Sequence, residues 1–145
     1  MNIQHVIFQV TIYLLEIWVL DNVIIYDNII AMKTDDQLNW KITFYNEKVK
    51  NQIRSFPIGI QTNLTYILEL IMELGPNLGR PHTAPLGKGL FEIRAKGKEG
   101  IARSFFCTIH EKEVVILHSI IKKSSKAPKK DADLAIRRMK EIKNG

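Results

Sequence analysis

Apolar and polar positions change their period several times along this chain, and each change marks an element. Trp40-Lys41-Ile42-Thr43-Phe44-Tyr45 alternates in the two-residue rhythm of a strand. Glu47 to Ser55 reads as a short helix, broken at Phe56-Pro57 because proline disfavours helical backbone in the residue before it. Asn63 to Leu74 reads as a second helix. Leu64, Ile67, Leu68, Ile71 and Leu74 recur at three- and four-residue spacing to make one apolar stripe, and Gly75-Pro76 ends it. The run from Gly75 to Gly87 is dense in glycine and proline and predicts a loop. Three strand-like runs follow, Gly89–Lys96, Ile101–Ile109 and Glu113–Ile121. The last two are joined by a turn around His110-Glu111-Lys112 short enough for an antiparallel hairpin. Lys129–Lys143 closes the chain as a basic helix whose apolar members are Leu134, Ile136, Met139 and Ile142. The order β-α-α-β-β-β-α predicts an α+β domain, with helices packed on an antiparallel sheet.

Residues 1–31 do not share this rhythm. They hold eight Ile and four Val but no Gly, Pro, Ser, Lys, Arg or Cys. Glu16, Asp21 and Asp27 interrupt the run, which argues against a membrane span. A positive leading segment and a small-residue cleavage site, the marks of a secretory signal, are missing. Two readings stand: an apolar appendage that packs on the domain or a partner, or an upstream translation preceding a true start at Met32. The second is the expectation, with the working domain at 32–145.

Composition sharpens the picture through its charge. The chain of 145 residues has a net charge of +6, yet 1–31 contribute three acids and no base. Residues 32–145 therefore hold all 21 Lys and Arg, a net +9 against 12 acids, and a domain this basic attracts polyanions, nucleic acid first. The single cysteine, Cys107, excludes an internal disulfide and a thiolate zinc site, and fits a reducing, cytoplasmic compartment. No phosphate-binding glycine loop, HExxH or GxSxG motif is present. His5, His82, His110 and His118 are scattered, so any chemistry is expected to need no metal or other cofactor.

Cationic side chains are the remaining candidates. Alternation over Leu90–Lys96 puts Phe91, Ile93 and Ala95 on one face, and Glu92, Arg94 and Lys96 on the other. The next run carries Arg103 beside Phe105 and Phe106; the third ends in Lys122-Lys123, with Lys126, Lys129 and Lys130 close behind. If the three strands are neighbours, Arg94, Arg103, Lys122 and Lys123 surround one patch suited to an RNA phosphodiester, and Phe105 or Phe106 stacks a splayed base. The plainer reading stands beside it: cations on an open sheet face are commonly just solvated, at least one of the two phenylalanines belongs to the core, and His118 is a partly buried strand histidine.

Gly75-Pro76-Asn77-Leu78-Gly79-Arg80-Pro81 and Pro85-Leu86-Gly87-Lys88-Gly89-Leu90-Phe91-Glu92-Ile93-Arg94 resemble phage-derived HigB-like toxins of the RelE/ParE superfamily. Arg103-Ser104-Phe105-Phe106, His118-Ser119-Ile120-Ile121-Lys122-Lys123, Lys126-Ala127-Pro128 and Ala135-Ile136-Arg137-Arg138-Met139 extend the resemblance, which runs in order from about Leu38 to Ile142. It implies a RelE-like fold and the toxin of a type II toxin–antitoxin module, a metal-independent mRNA endoribonuclease acting on the ribosome. Its partners would be mRNA, the ribosome and a cognate helix-turn-helix DNA-binding antitoxin, with no membrane. By position, Arg94, Arg103, Lys122 and Lys123 are implied as catalytic cations, with Lys96, Phe105, Phe106, Lys126, Lys129 and Lys130 on the RNA. The chain departs from the family in lacking a tyrosine after Tyr66 and in carrying Phe106 where some relatives have tyrosine. Proton transfer would then fall to a lysine or to His118. A ParE-like gyrase inhibitor and a non-catalytic RNA- or partner-binding module are the alternatives.

Overall fold

A computed structural model describes Ile3 and residues 39–110, 112–122 and 129–145. The expectations for Lys123, Lys126 and the apolar segment 1–31, apart from Ile3, lie outside the described residues. The chain divides into two units, Met1–Leu38 and Asn39–Gly145, and the second carries every element that follows. In chain order these are β1 (Lys41–Phe44), α1 (Glu47–Arg54), α2 (Ile58–Leu74), β2 (Thr83–Gly87), β3 (Leu90–Gly97), β4 (Gly100–Ile109), β5 (Glu113–Lys122) and α3 (Lys129–Asn144).

The α+β class and the order of elements agree with the sequence reading, with one strand added. The run expected as a loop contains β2, which pairs antiparallel with β3 at the sheet edge. Edge placement tolerates Pro85, whose missing N–H would break a central ladder, and the register shifts between Pro85 and Gly87. The sheet is mixed rather than antiparallel: its order is β1-β5-β4-β3-β2, and β1 runs parallel to β5. The chain therefore closes its first strand onto its last.

α1 begins where Asn46 accepts the Val49 N–H at 3.0 Å. α2 starts five residues earlier than its apolar stripe suggests. Its N-cap, Pro57, has no side-chain acceptor to offer; instead Glu99, in the turn between β3 and β4, accepts the Gly59 N–H at 3.2 Å. This seating is close. A Cβ on Gly97 would stand 2.6 Å from the Ile60 nitrogen and 2.7 Å from the Gly59 carbonyl carbon, both backbone atoms. Gly97→Ala is therefore expected to cost about 2–3 kcal/mol, read as a lower urea midpoint; an unchanged midpoint would show that the turn can retreat. At the far end, Gly75 (φ 93°) donates to the Ile71 carbonyl at 2.8 Å and stops α2 where the sequence predicts. Of the predicted stripe, Leu64, Ile67, Leu68 and Ile71 are buried, whereas Leu74 is exposed.

Both faces of the sheet are covered. Leu90, Phe105, Cys107, Val115 and Leu117 pack against Ala135 and Met139 of α3. Ile93, Ala95, Phe106 and Ile116, of the opposite alternation, are also fully buried, on the face where α2 lies along β3. Phe106 stacks on Phe91 with ring centroids 5.4 Å apart. β5 has one residue more than β4 at Leu117, because Phe105 pairs with His118 and Phe106 with Ile116. This bulge leaves the Leu117 carbonyl to Arg138 Nη1 of α3, at 2.7 Å. The Arg138 guanidinium lies 4.8 Å from the Tyr45 ring centroid, and Tyr45 Oη donates to Glu141. These contacts fix α3 against the sheet.

Candidate active site

Three cross-strand rows run along the α3-side face of β3, β4 and β5. The first is Glu92–Phe105–His118, the second Arg94–Arg103–Ile120; in the third, Lys96 faces Ile101, which faces Lys122. The expected convergence of Arg94, Arg103 and Lys122 on one face is therefore present, with Glu92 among them. Arg94 Nε donates to Glu92 Oε1 at 2.7 Å, and Arg103 Nη1 donates to Glu92 Oε2 at 2.9 Å. Glu92 is fully buried, while the side chains of Arg103 and Arg94 keep 12% and 28% of their surface.

Lys122 reaches the same cluster. Its ammonium nitrogen has no exposed surface and no hydrogen-bond partner among the described residues. Burial first, and then the charges of Arg103 and Arg94, weaken its hold on its proton below that of an ordinary lysine, against a smaller opposing pull from Glu92. This cation costs the fold stability. At neutral pH both folded and unfolded chains carry the proton and the cost is whole. As pH rises through the depressed folded value towards 10.5, the unfolded chain binds more protons and stability rises. Lys122→Met should therefore be the more stable protein at pH 7, by roughly 1 kcal/mol. The gap should close as pH approaches 10.5, as thermal melts of both proteins across that range would reveal. A less stable Lys122→Met would mean that the ammonium has a partner.

His118 stands at the end of the first row. Its Nε2 lies 2.8 Å from Asp131 Oδ1 in the first turn of α3, and its ring lies parallel to Phe105 with centroids 6.3 Å apart. Local sequence gives no sign of that pair, because the partners are thirteen residues apart in different elements. Glu92, by contrast, is legible on the arginine face from simple alternation.

Two expected contacts are corrected. Phe105 and Phe106 are both fully buried, one under α3 and the other on the opposite face, so neither offers a ring to a base. Covering the sheet on both sides leaves no open face for them. Lys96, Lys129 and Lys130 are exposed. Cys107 is buried, and burial raises its thiol pKa, which keeps it protonated and unreactive. No three His, Cys, Asp or Glu side chains gather to hold a metal among the described residues. Among those residues, no helix is long and apolar enough to cross a membrane.

Comparison with known families gives one match: a family described as phage derived protein Gp49-like (DUF891) covers residues 51–140, more than half of the chain and every residue of the three rows. No curated protein matches the chain.

Proposed function

This chain belongs to the phage-derived Gp49-like family, which is associated with the toxins of toxin–antitoxin systems, and from that membership we propose that it is an mRNA-cleaving toxin acting on the ribosome. The observation that carries the reading is Arg94 directly opposite Arg103, with Lys122 beside them. Glu92 offsets the repulsion of the facing arginines, and three cations around that one described carboxylate leave a net positive charge suited to an anionic ligand.

In the proposed reaction, Arg94 and Arg103 hold the non-bridging oxygens of one phosphodiester and stabilise the added charge of the phosphorane. The 2′-oxygen of the preceding ribose attacks phosphorus, the bond to the 5′-oxygen breaks, and the products are a 2′,3′-cyclic phosphate and a free 5′-hydroxyl. His118, one ring nitrogen occupied by Asp131, takes the 2′-hydroxyl proton on the other. Lys122, whose ammonium is covered in the free protein and yields its proton more readily than an ordinary lysine, turns towards the bound phosphate and delivers a proton to the departing 5′-oxygen. Lys96, Lys129 and Lys130, all exposed, extend the positive surface to flanking phosphates. A cognate DNA-binding antitoxin would complete the module.

Primer-extension mapping of cellular transcripts after brief induction tests this. New 5′ ends within translated codons are the expected result. Growth arrest with intact transcripts and inhibited gyrase would replace the reading with a ParE-like one.

A further inference from the structure

The two arginines stand in register on adjacent strands. Left to themselves, two guanidiniums so placed repel and swing out to water. What prevents this is one carboxylate with no exposed surface. We infer that Glu92 is a positioning residue: held between Arg94 Nε and Arg103 Nη1, it turns two repelling side chains into one rigid cradle for a single RNA phosphate. The inference deepens the nuclease reading and rests on it.

Three features favour a cradle over simple charge balance. Each carboxylate oxygen takes a different arginine, so Glu92 couples the two strands instead of serving one of them. Arg94 is gripped by Nε, and its two terminal amino groups make no hydrogen bond to a described residue; of the five guanidinium donors, those best suited to fork a phosphate are left over. Glu92 is also immobile. Phe105, its fully buried neighbour in the row, stands beside it, and a buried carboxylate that released its partners would be left desolvated and unpaired. The bland reading, an ion pair that merely neutralises charge, does not require a split grip.

The two readings differ in what Glu92→Gln does. The variant keeps all three cations and removes the carboxylate that Arg94 and Arg103 share, so attraction for RNA is retained or strengthened, while the guanidiniums lose their aim. Turnover on RNA should fall about 10²-fold. Affinity for a 2′-O-methyl oligoribonucleotide, which cannot be cleaved, should stay equal or tighten by up to about tenfold. In the Arg103→Ala background, the further loss from Glu92→Gln should be less than about threefold, since residues acting as one unit are not additive. Independently of any activity, the Arg94 Nε–H proton seen by 15N NMR should exchange slowly in the wild type and rapidly in Glu92→Gln.

Wild-type turnover in Glu92→Gln would overturn the inference. So would turnover and affinity falling together in proportion to the folded fraction. If Glu92→Gln does not fold, Glu92→Asp, which keeps the charge but is too short to reach both arginines, should fold and show the same split in smaller measure; wild-type turnover there overturns the cradle. If the wild type itself cleaves no RNA, the nuclease reading fails and the NMR arm decides this one: a shielded Nε–H lost on substitution sustains the cradle, and equal exchange in both proteins rejects it.

Discussion

Arg103→Ala is expected to lose RNA cleavage by about 10²–10³-fold and to abolish growth arrest while remaining folded. Arg103 sits mid-sheet with a mostly covered side chain, but it belongs to no apolar cluster. Its removal leaves Glu92 Oε1 paired with Arg94 at 2.7 Å but takes the Arg103 donor from the buried Oε2, a loss that relief of the repulsion between facing cations offsets only in part. The thermal midpoint should therefore fall by the equivalent of about 1–3 kcal/mol, leaving the domain folded, while the transition state loses one of its two guanidiniums. Arg103→Lys sharpens the comparison: it restores charge without the planar fork, so RNA affinity should recover and turnover should not. Mapping transcript ends alongside a melting curve separates chemistry from folding. A folded Arg103→Ala protein that still cut mRNA would remove this residue from the mechanism.

The second large effect falls on stability. Phe105→Ala and Phe106→Ala should each cost about 3–5 kcal/mol, a large share of the roughly 5–15 kcal/mol that holds a domain folded. Both rings are fully buried, on opposite faces of one sheet. Phe105 fills the layer beneath α3 with Leu90, Leu117 and Met139, and Phe106 lies on Phe91. Urea midpoints measure the loss. Phe105→Leu, smaller but apolar, should fold and bind RNA as tightly as the parent; weaker binding by that folded protein would restore a base-stacking role.

Periodicity carried the elements far. Alternation over Leu90–Lys96 placed Glu92, Arg94 and Lys96 on one face, and the short connection at His110–Lys112 predicted the β4–β5 hairpin. What it missed depends on partners distant in sequence. β2 was hidden because Gly and Pro signal a break wherever they occur, and only pairing with β3 makes Thr83–Gly87 a strand. The parallel contact of β1 with β5 joins the two ends of the fold, beyond the reach of local pattern. α2 gained its first turn from Glu99, forty residues away. In the site, the cationic face was legible from alternation. The partner of His118 was not, and the burial of both phenylalanines followed from a sheet covered on both sides.

The contact of the β3–β4 turn with the first turn of α2 has a consequence for how such a chain can vary. A methyl group on Gly97 would run into the backbone of residues 59 and 60, and one on Gly59 into the Glu99 carboxylate that caps the helix. Position 97 is thus closed to any side chain by backbone, position 59 is tied to the carboxylate at 99, and a tag or insertion grafted at Lys98, although that residue is solvent-facing, would disturb the seating of the helix on the turn that joins the two arginine strands.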